Sequence, residues 1–195
     1  MEHPAPLLVS FLLISWLAFS SCTSREEKVS LSLIEVTDED IKSQGGITYV
    51  EQKPYSGTLY KLYPGTADTL YIRKYLRGKE HGHWKQFHPG NELAEHRYFR
   101  NGRKEGEHIG YFPGGQLRFS YQLANDVYEG NNREWNIDGS LILDMNYVAG
   151  QEEGSQKVWY DNGKIKANYV IRNGRRFGLL GTKNCVNVSD SIFKN

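Results

Sequence analysis

Cysteine is nearly missing from this 195-residue chain, which has Cys22 and Cys185 and no others. A disulfide framework of the kind that staples small secreted domains is therefore excluded. Proline is scarce, at 6, and Met is rarer still, at 2. An excess of one charge is missing too. Lys plus Arg number 24 and Asp plus Glu 23, for a formal net charge of +1. No basic stripe points to nucleic acid, and there is no acidic tail. The short run Arg172, Arg175, Arg176 reads as a solvated turn. The longest apolar run, residues 7–19, covers about 13 residues, short of the roughly 20 that a spanning helix needs. The order of residues offers no activated serine, no Cys–His pair and no phosphate loop. All six histidines lie between His3 and His108, far from Cys185 in a linear array, so Cys185 reads as a half-buried thiol. No catalytic residue and no cofactor is expected.

What the chain does have is a period. Gly82, Gly106, Gly130, Gly154 and Gly178 each follow the last by 24 residues. Such spacing marks one small unit stacked on itself. Five residues after the glycine comes a large aromatic: Phe87, Tyr111, Trp135, Trp159. Next comes a turn: Pro89-Gly90, Gly114-Gly115, Asp138-Gly139, Asn162-Gly163. An alternating run follows, as in Leu117, Phe119, Tyr121, Leu123 or Leu141, Leu143, Met145, Tyr147. A second turn closes most copies, at Arg77-Gly78, Asn101-Gly102, Ala149-Gly150 and Asn173-Gly174, while the third copy departs with Asp126-Val127.

A period of two predicts half-buried strands, and Asn-Gly or Asp-Gly between such runs predicts hairpins. The expected fold is all-β: a single-layer antiparallel β-meander of stacked hairpins, one per repeat of about 24 residues. A first copy starts at Gly57, with Tyr60 and Tyr63 before the Pro64-Gly65 turn and Tyr71, Arg73 and Tyr75 after it. Gly178 opens a copy that soon loses the pattern. The organisation expected is a leader over 1–21, a polar tether over 22–43, repeats over 44–180, and a C-terminal cap and tail over 181–195.

Residues 18–22, Ala-Phe-Ser-Ser-Cys after the apolar run, resemble the end of a bacterial lipoprotein signal peptide. The resemblance implies cleavage before Cys22 and a lipid on its sulfur. That leaves Cys185 without an intrachain partner. It also implies a lipid-anchored protein of the cell envelope, at the outer membrane, on its periplasmic or surface face. Acidic residues just after Cys22, Glu26 and Glu27, resemble a surface-export signal of Bacteroidetes-type lipoproteins.

Two constellations could carry recognition. On the alternating run, Arg73 and Arg97 stand where later copies have Tyr121, Met145 and Tyr169. Glu95 stands where they have Phe119, Leu143 and Ala167. Charge on an otherwise apolar face is costly unless paired or exposed. Glu95 pairing with an arginine answers that. A patch of Arg73, Arg97 and Glu95 with Tyr71, Tyr75 and Tyr98, meeting an acidic protein partner, also answers it, since arginine with aromatics is the composition of interface hot spots. The second constellation is His81, His83, His88, His96 and His108, all within the second copy and the start of the third. Zinc takes three or four converging ligands, and these have no metal spacing, so no metal is expected. A metal- or ligand-dependent binder or enzyme using the histidines is the alternative class. The aromatic column Phe87, Tyr111, Trp135, Trp159 reads as packing between repeats.

The stretch Gly154 to Lys166, with Val158-Trp159-Tyr160-Asp161-Asn162-Gly163, and Glu80-His81-Gly82-His83-Trp84 with Phe87, resemble the bacterial variant of the MORN repeat. Gly46-Ile47-Thr48-Tyr49 and Lys53-Pro54-Tyr55-Ser56-Gly57 resemble the start of repeat proteins labelled toxin–antitoxin antitoxins. The resemblance covers about residues 44–180. It implies a non-enzymatic repeat protein used for binding or scaffolding, in this case anchored through its N-terminal lipid. An antitoxin- or immunity-like protein that neutralises a toxin is the special case.

Overall fold

The computed structural model describes residues 33–35 and 41–179. The expected leader, Cys22 and Cys185 lie outside them, as does the C-terminal cap. The described residues form strands and turns with no helix. In chain order the strands are β1 (Leu33–Glu35), β2 (Ile41–Gln44), β3 (Ile47–Val50), β4 (Lys53–Pro54), β5 (Gly57–Leu62) and β6 (Thr69–Leu76). Then come β7 (Lys79–Glu80), β8 (Gly82–His88), β9 (Glu92–Arg100), β10 (Arg103–Lys104), β11 (Gly106–Tyr111) and β12 (Leu117–Ala124). The series ends with β13 (Val127–Tyr128), β14 (Gly130–Trp135), β15 (Leu141–Val148), β16 (Gln151–Trp159), β17 (Ile165–Arg172) and β18 (Arg175–Leu179).

Fifteen of these make one sheet, ordered β1-β5-β6-β8-β9-β11-β12-β14-β15-β16-β17-β18, with the short β7, β10 and β13 beside β6, β9 and β12. From β5 onward the order follows the chain and the pairing is antiparallel, so the expected meander of hairpins is the fold. One pairing differs: β1 lies parallel to β5 and covers its free edge. A separate three-stranded sheet of β2, β3 and β4 precedes the first hairpin. β1 and β2 thus fall at the end of the stretch expected as a tether, and the hairpin series itself begins at Gly57. The small sheet docks through backbone bonds, Thr48 N–H to Gly78 O at 2.8 Å and Gly78 N–H to Tyr55 O at 2.7 Å. There Tyr55, Leu59 and Tyr75 form a core cluster, with Ile41 and Val50 packed against it. Exposed polar backbone at a sheet edge invites another chain, and this is how the first edge is closed.

The closing turns recur every 24 residues. Arg77-Gly78, Asn101-Gly102, Asn125-Asp126, Ala149-Gly150 and Asn173-Gly174 each have φ > 0 at both central residues. That is the type I′ signature, whose twist matches the strands it joins. The third copy therefore keeps the register: its turn is Asn125-Asp126, one residue before the Asp126-Val127 expected from sequence. Asp126 takes the glycine position because its side chain accepts a hydrogen bond from Lys104 N–H at 2.8 Å. Ala149, at φ 49, gains nothing comparable from its side chain. Left-handed backbone costs an alanine about 1 kcal/mol that Asn or Gly avoids in part. Ala149→Asn, which copies Asn101 and Asn173, is expected to raise the urea midpoint by an amount equal to roughly 0.5–1 kcal/mol; an unchanged or lower midpoint refutes the strain.

The repeat glycines mark bulges. Beside β6, Glu80 pairs with Tyr75, yet Gln86 pairs with Tyr71. The register thus slips by two residues across Gly82, which has φ 84. The same slip occurs at Gly106, Gly130 and Gly154. Gly178 breaks the series: β17 and β18 pair without a slip from Arg172↔Arg175 to Asn168↔Leu179.

Candidate functional site

Cross-strand partners share a face, and the register assembles two rows on the more buried one. The first runs Tyr71, Gln86, Glu95, Gly110, Phe119, Glu134, Leu143, Val158, Ala167. The second, two residues along, holds Arg73, Trp84, Arg97, His108, Tyr121, Asn132, Met145, Gln156 and Tyr169. This face carries most of the core: Leu59, Tyr75, Trp84, Phe99, Phe119, Leu123, Met145, Tyr169 and Ile171 are buried.

Trp84 is the platform of the charged end. The Arg73 guanidinium sits 4.1 Å from the Tyr71 ring centre and 5.2 Å from that of Trp84. The Arg97 guanidinium sits 4.6 Å from Trp84. Two cations thus share one indole, an arrangement arginine tolerates because its plane stacks and is weakly hydrated. Glu95 fixes the second of them. Its carboxylate accepts from Arg97 Nε at 2.5 Å and contacts His108 Nε2. Burial pushes the Glu95 carboxyl up, but hydrogen bonds from His108 and Arg97 and their charges outweigh it and hold it below the ordinary value. Its stabilisation is therefore present above the ordinary glutamate range and is lost as pH falls through the lowered value. Glu80 responds the other way: burial raises it, although Arg73, Arg97 and Lys104 pull against that rise.

Arg73 differs from Arg97. It forms no salt bridge among the described residues, and its Nε is buried without a hydrogen-bond partner. An unmade bond at a buried polar atom costs about 1–3 kcal/mol.

The six residues singled out from sequence do not all meet. Arg73, Arg97, Glu95 and Tyr71 do. Tyr75 is on the same face but only 5% exposed, packed into the N-terminal core against Tyr55. Glu95, 9% exposed, is held against Arg97 and His108. Tyr98 faces the opposite side, paired with His83. The reason is parity: residue 98 is an odd number of positions from 95 and 97, so the pleat turns it away. The aromatic column takes one place in every copy: Phe87, Tyr111, Trp135 and Trp159 sit where the register shifts within each hairpin. A separate series of ring contacts on the buried face runs through His108, Phe119, Tyr121, Tyr128 and Tyr147.

Of Trp84, His108, Asn132 and Gln156 the sequence singles out only His108, and that among the histidines, although each lies two residues after a repeat glycine. The last two are buried and fill bulges. Asn132 Oδ1 accepts from Gln122 N–H at 2.9 Å. Gln156 Oε1 accepts from Asn146 N–H at 3.1 Å, and its Nε2 donates to Asn146 O at 2.7 Å. The side-chain amide replaces the ladder bonds that the slipped register leaves unmade. Further on, Tyr121 donates to Glu134 at 2.6 Å, and burial together with that carboxylate raises its pKa.

The histidines disperse. His108 joins Glu95, His88 Nε2 meets Tyr111 O at 3.1 Å, and His83 and His96 meet on the other face. No three metal-ligating side chains converge among the described residues. A scan against protein-family profiles and a search of curated proteins each find no match to the chain.

Proposed function

We propose that the chain is a non-catalytic repeat module, held at the outer membrane by a lipid on Cys22, that captures an acidic segment of a protein partner. The capture surface is the tray of Tyr71, Arg73, Trp84 and Arg97. One observation carries the reading. Arg97 has its carboxylate in Glu95, whereas Arg73, on the same indole, has no carboxylate in salt-bridge contact among the described residues. A partner's Asp or Glu offered to the Arg73 fork supplies one, and bidentate pairs of this kind add both energy and orientation. Stacking on Tyr71 and Trp84 has already fixed the guanidinium, so less side-chain entropy is lost on binding.

Two experiments test the parts separately. Affinity capture from detergent-solubilised envelopes, followed by cross-linking, is expected to recover one partner with its cross-links near the tray. Cross-links scattered over the sheet would refute the surface. Fractionation tests the anchor: Cys22→Ser is expected to move the protein from the membrane pellet to the soluble fraction. Retention of that variant in the pellet would rule out the lipid.

A further inference from the structure

The face opposite the tray carries a second cluster. Ile72 and Lys74 of β6, His83 and Lys85 of β8, and Leu93 and His96 of β9 line an open depression of about 370 Å³. The register explains the convergence. Ile72 pairs with Lys85 and Lys85 with His96, so three strands place these side chains in one row. His83 stands on the diagonal. Its Nδ1 lies 2.8 Å from His96 Nε2, with the rings stacked at 4.9 Å. Tyr98 meets the His83 ring edge-on at 5.1 Å. No carboxylate lines the depression. Glu107 of β11 acts on His96 from beside it, as does the charge of His108.

The two ammonium groups repel a metal cation and, with imidazole N–H donors beside them, suit an anion. Ile72 and Leu93 add an apolar surface, the usual companion of a few convergent polar groups in a ligand site. We propose that this depression binds a small oxyanion ester, a phosphate or sulfate whose organic part rests on Ile72 and Leu93. Lys74 and Lys85 supply charge, and the histidine pair supplies directed N–H groups.

The pair also couples the ligand to protons. The bond between the two rings uses one N–H and leaves His83 Nε2 and His96 Nδ1 outside it. In the neutral pair one of these two nitrogens is a donor and the other an acceptor. One added proton makes both donors. Burial, then Lys74 and Lys85, hold His83 below its ordinary value. Burial, then His83 and Lys85, hold His96 below, against the pull of Glu107. A bound anion opposes that depression, so binding takes up a proton. Affinity therefore rises as pH falls, by at most about tenfold per pH unit, and levels off once the free pair is itself protonated.

The test follows histidine ring signals by NMR in the full chain, titrated with inorganic phosphate, with inorganic sulfate and with phenyl phosphate. Signals of His83 and His96 are expected to move together and saturate while His88 stays still. Phenyl phosphate is expected to bind more tightly than inorganic phosphate, and inorganic sulfate, whose charge is constant over this range, more tightly near about pH 5.5 than near about pH 7.5. Replacing both lysines (Lys74→Gln with Lys85→Gln) is expected to weaken binding at least about tenfold while the thermal melt is unchanged. No saturable shift would overturn the proposal. So would binding that survives loss of both lysines, or a saturable response to zinc with none to phosphate.

Discussion

Reversing the charge of both arginines, Arg73→Glu with Arg97→Glu, is expected to abolish capture of the partner while the sheet still folds. Interface residues of this composition cost about 2 kcal/mol or more each when lost, so the pair raises the dissociation constant roughly a thousandfold. Reversal goes further than deletion, because an acidic partner would then meet two carboxylates beside Glu80 and Glu95. A gentler variant separates charge from geometry. Arg73→Lys keeps the cation but loses the planar fork and the stacking on Tyr71 and Trp84, and is expected to weaken capture about tenfold. Both are read against the urea midpoint, since Glu95 and His108 lose Arg97 in the double variant. Undiminished capture by a folded double variant would remove the tray from the mechanism.

Gly78→Ala is expected to destabilise the fold strongly. Gly78 has φ 78, and an added Cβ would stand 2.4 Å from Ile47 Cγ2 and 2.9 Å from Thr48 O. The Thr48 backbone is not free to retreat, because Thr48 N–H donates to Gly78 O and Gly78 N–H in turn donates to Tyr55 O. Strained backbone costs about 1 kcal/mol and overpacking a further 1–3 kcal/mol, together about 3 kcal/mol or roughly 10 °C in Tm. The repeat supplies its own control. Gly102 occupies the same turn position at φ 83, but an added Cβ there meets Lys79 Cβ at 3.6 Å, an ordinary contact. Gly102→Ala should therefore lose the backbone term alone. Equal losses at the two sites would show that the close approach of the small sheet contributes nothing. Adding Ile47→Ala to Gly78→Ala should recover part of the difference, because the Cγ2 in the way is gone.

The hairpins and their turns were readable because local chemistry dictates them. Alternation in Leu117 to Leu123 and φ > 0 at Asn101-Gly102 depend on nothing far away. The convergence of Arg73 and Arg97 was also readable, as two copies breaking a rule that three others keep. The bulge was not readable. A glycine at a fixed period shows where φ turns positive, not that the strand resumes two residues out of register beyond it. The burial of Asn132 and Gln156 has the same origin: what buries them is the ladder gap, which exists only once the strands are paired. The small sheet of β2, β3 and β4 is held by contacts with residues far along the chain, around Gly78, which no short window contains. Tyr98 is a different kind of miss. Its parity is explicit in the sequence: Tyr98 adjoins Arg97 along the chain but lies on the other face of the sheet.

The four positions two residues after the bulge glycines hold different side chains: Trp84, His108, Asn132 and Gln156. Turns and bulges are otherwise interchangeable among copies, so a hairpin docked one copy out of place would satisfy nearly all of its own backbone bonds. Proteins made of near-identical units risk such misassembly and exchange between chains. The differing side chains at these positions would penalise it. Asn132 and Gln156 complete the backbone of Gln122 and Asn146, a service Trp84 cannot perform, and Trp84 carries two guanidinium groups that Gln156 could not stack. A sequence made more regular at these positions would lose the means of counting its own strands.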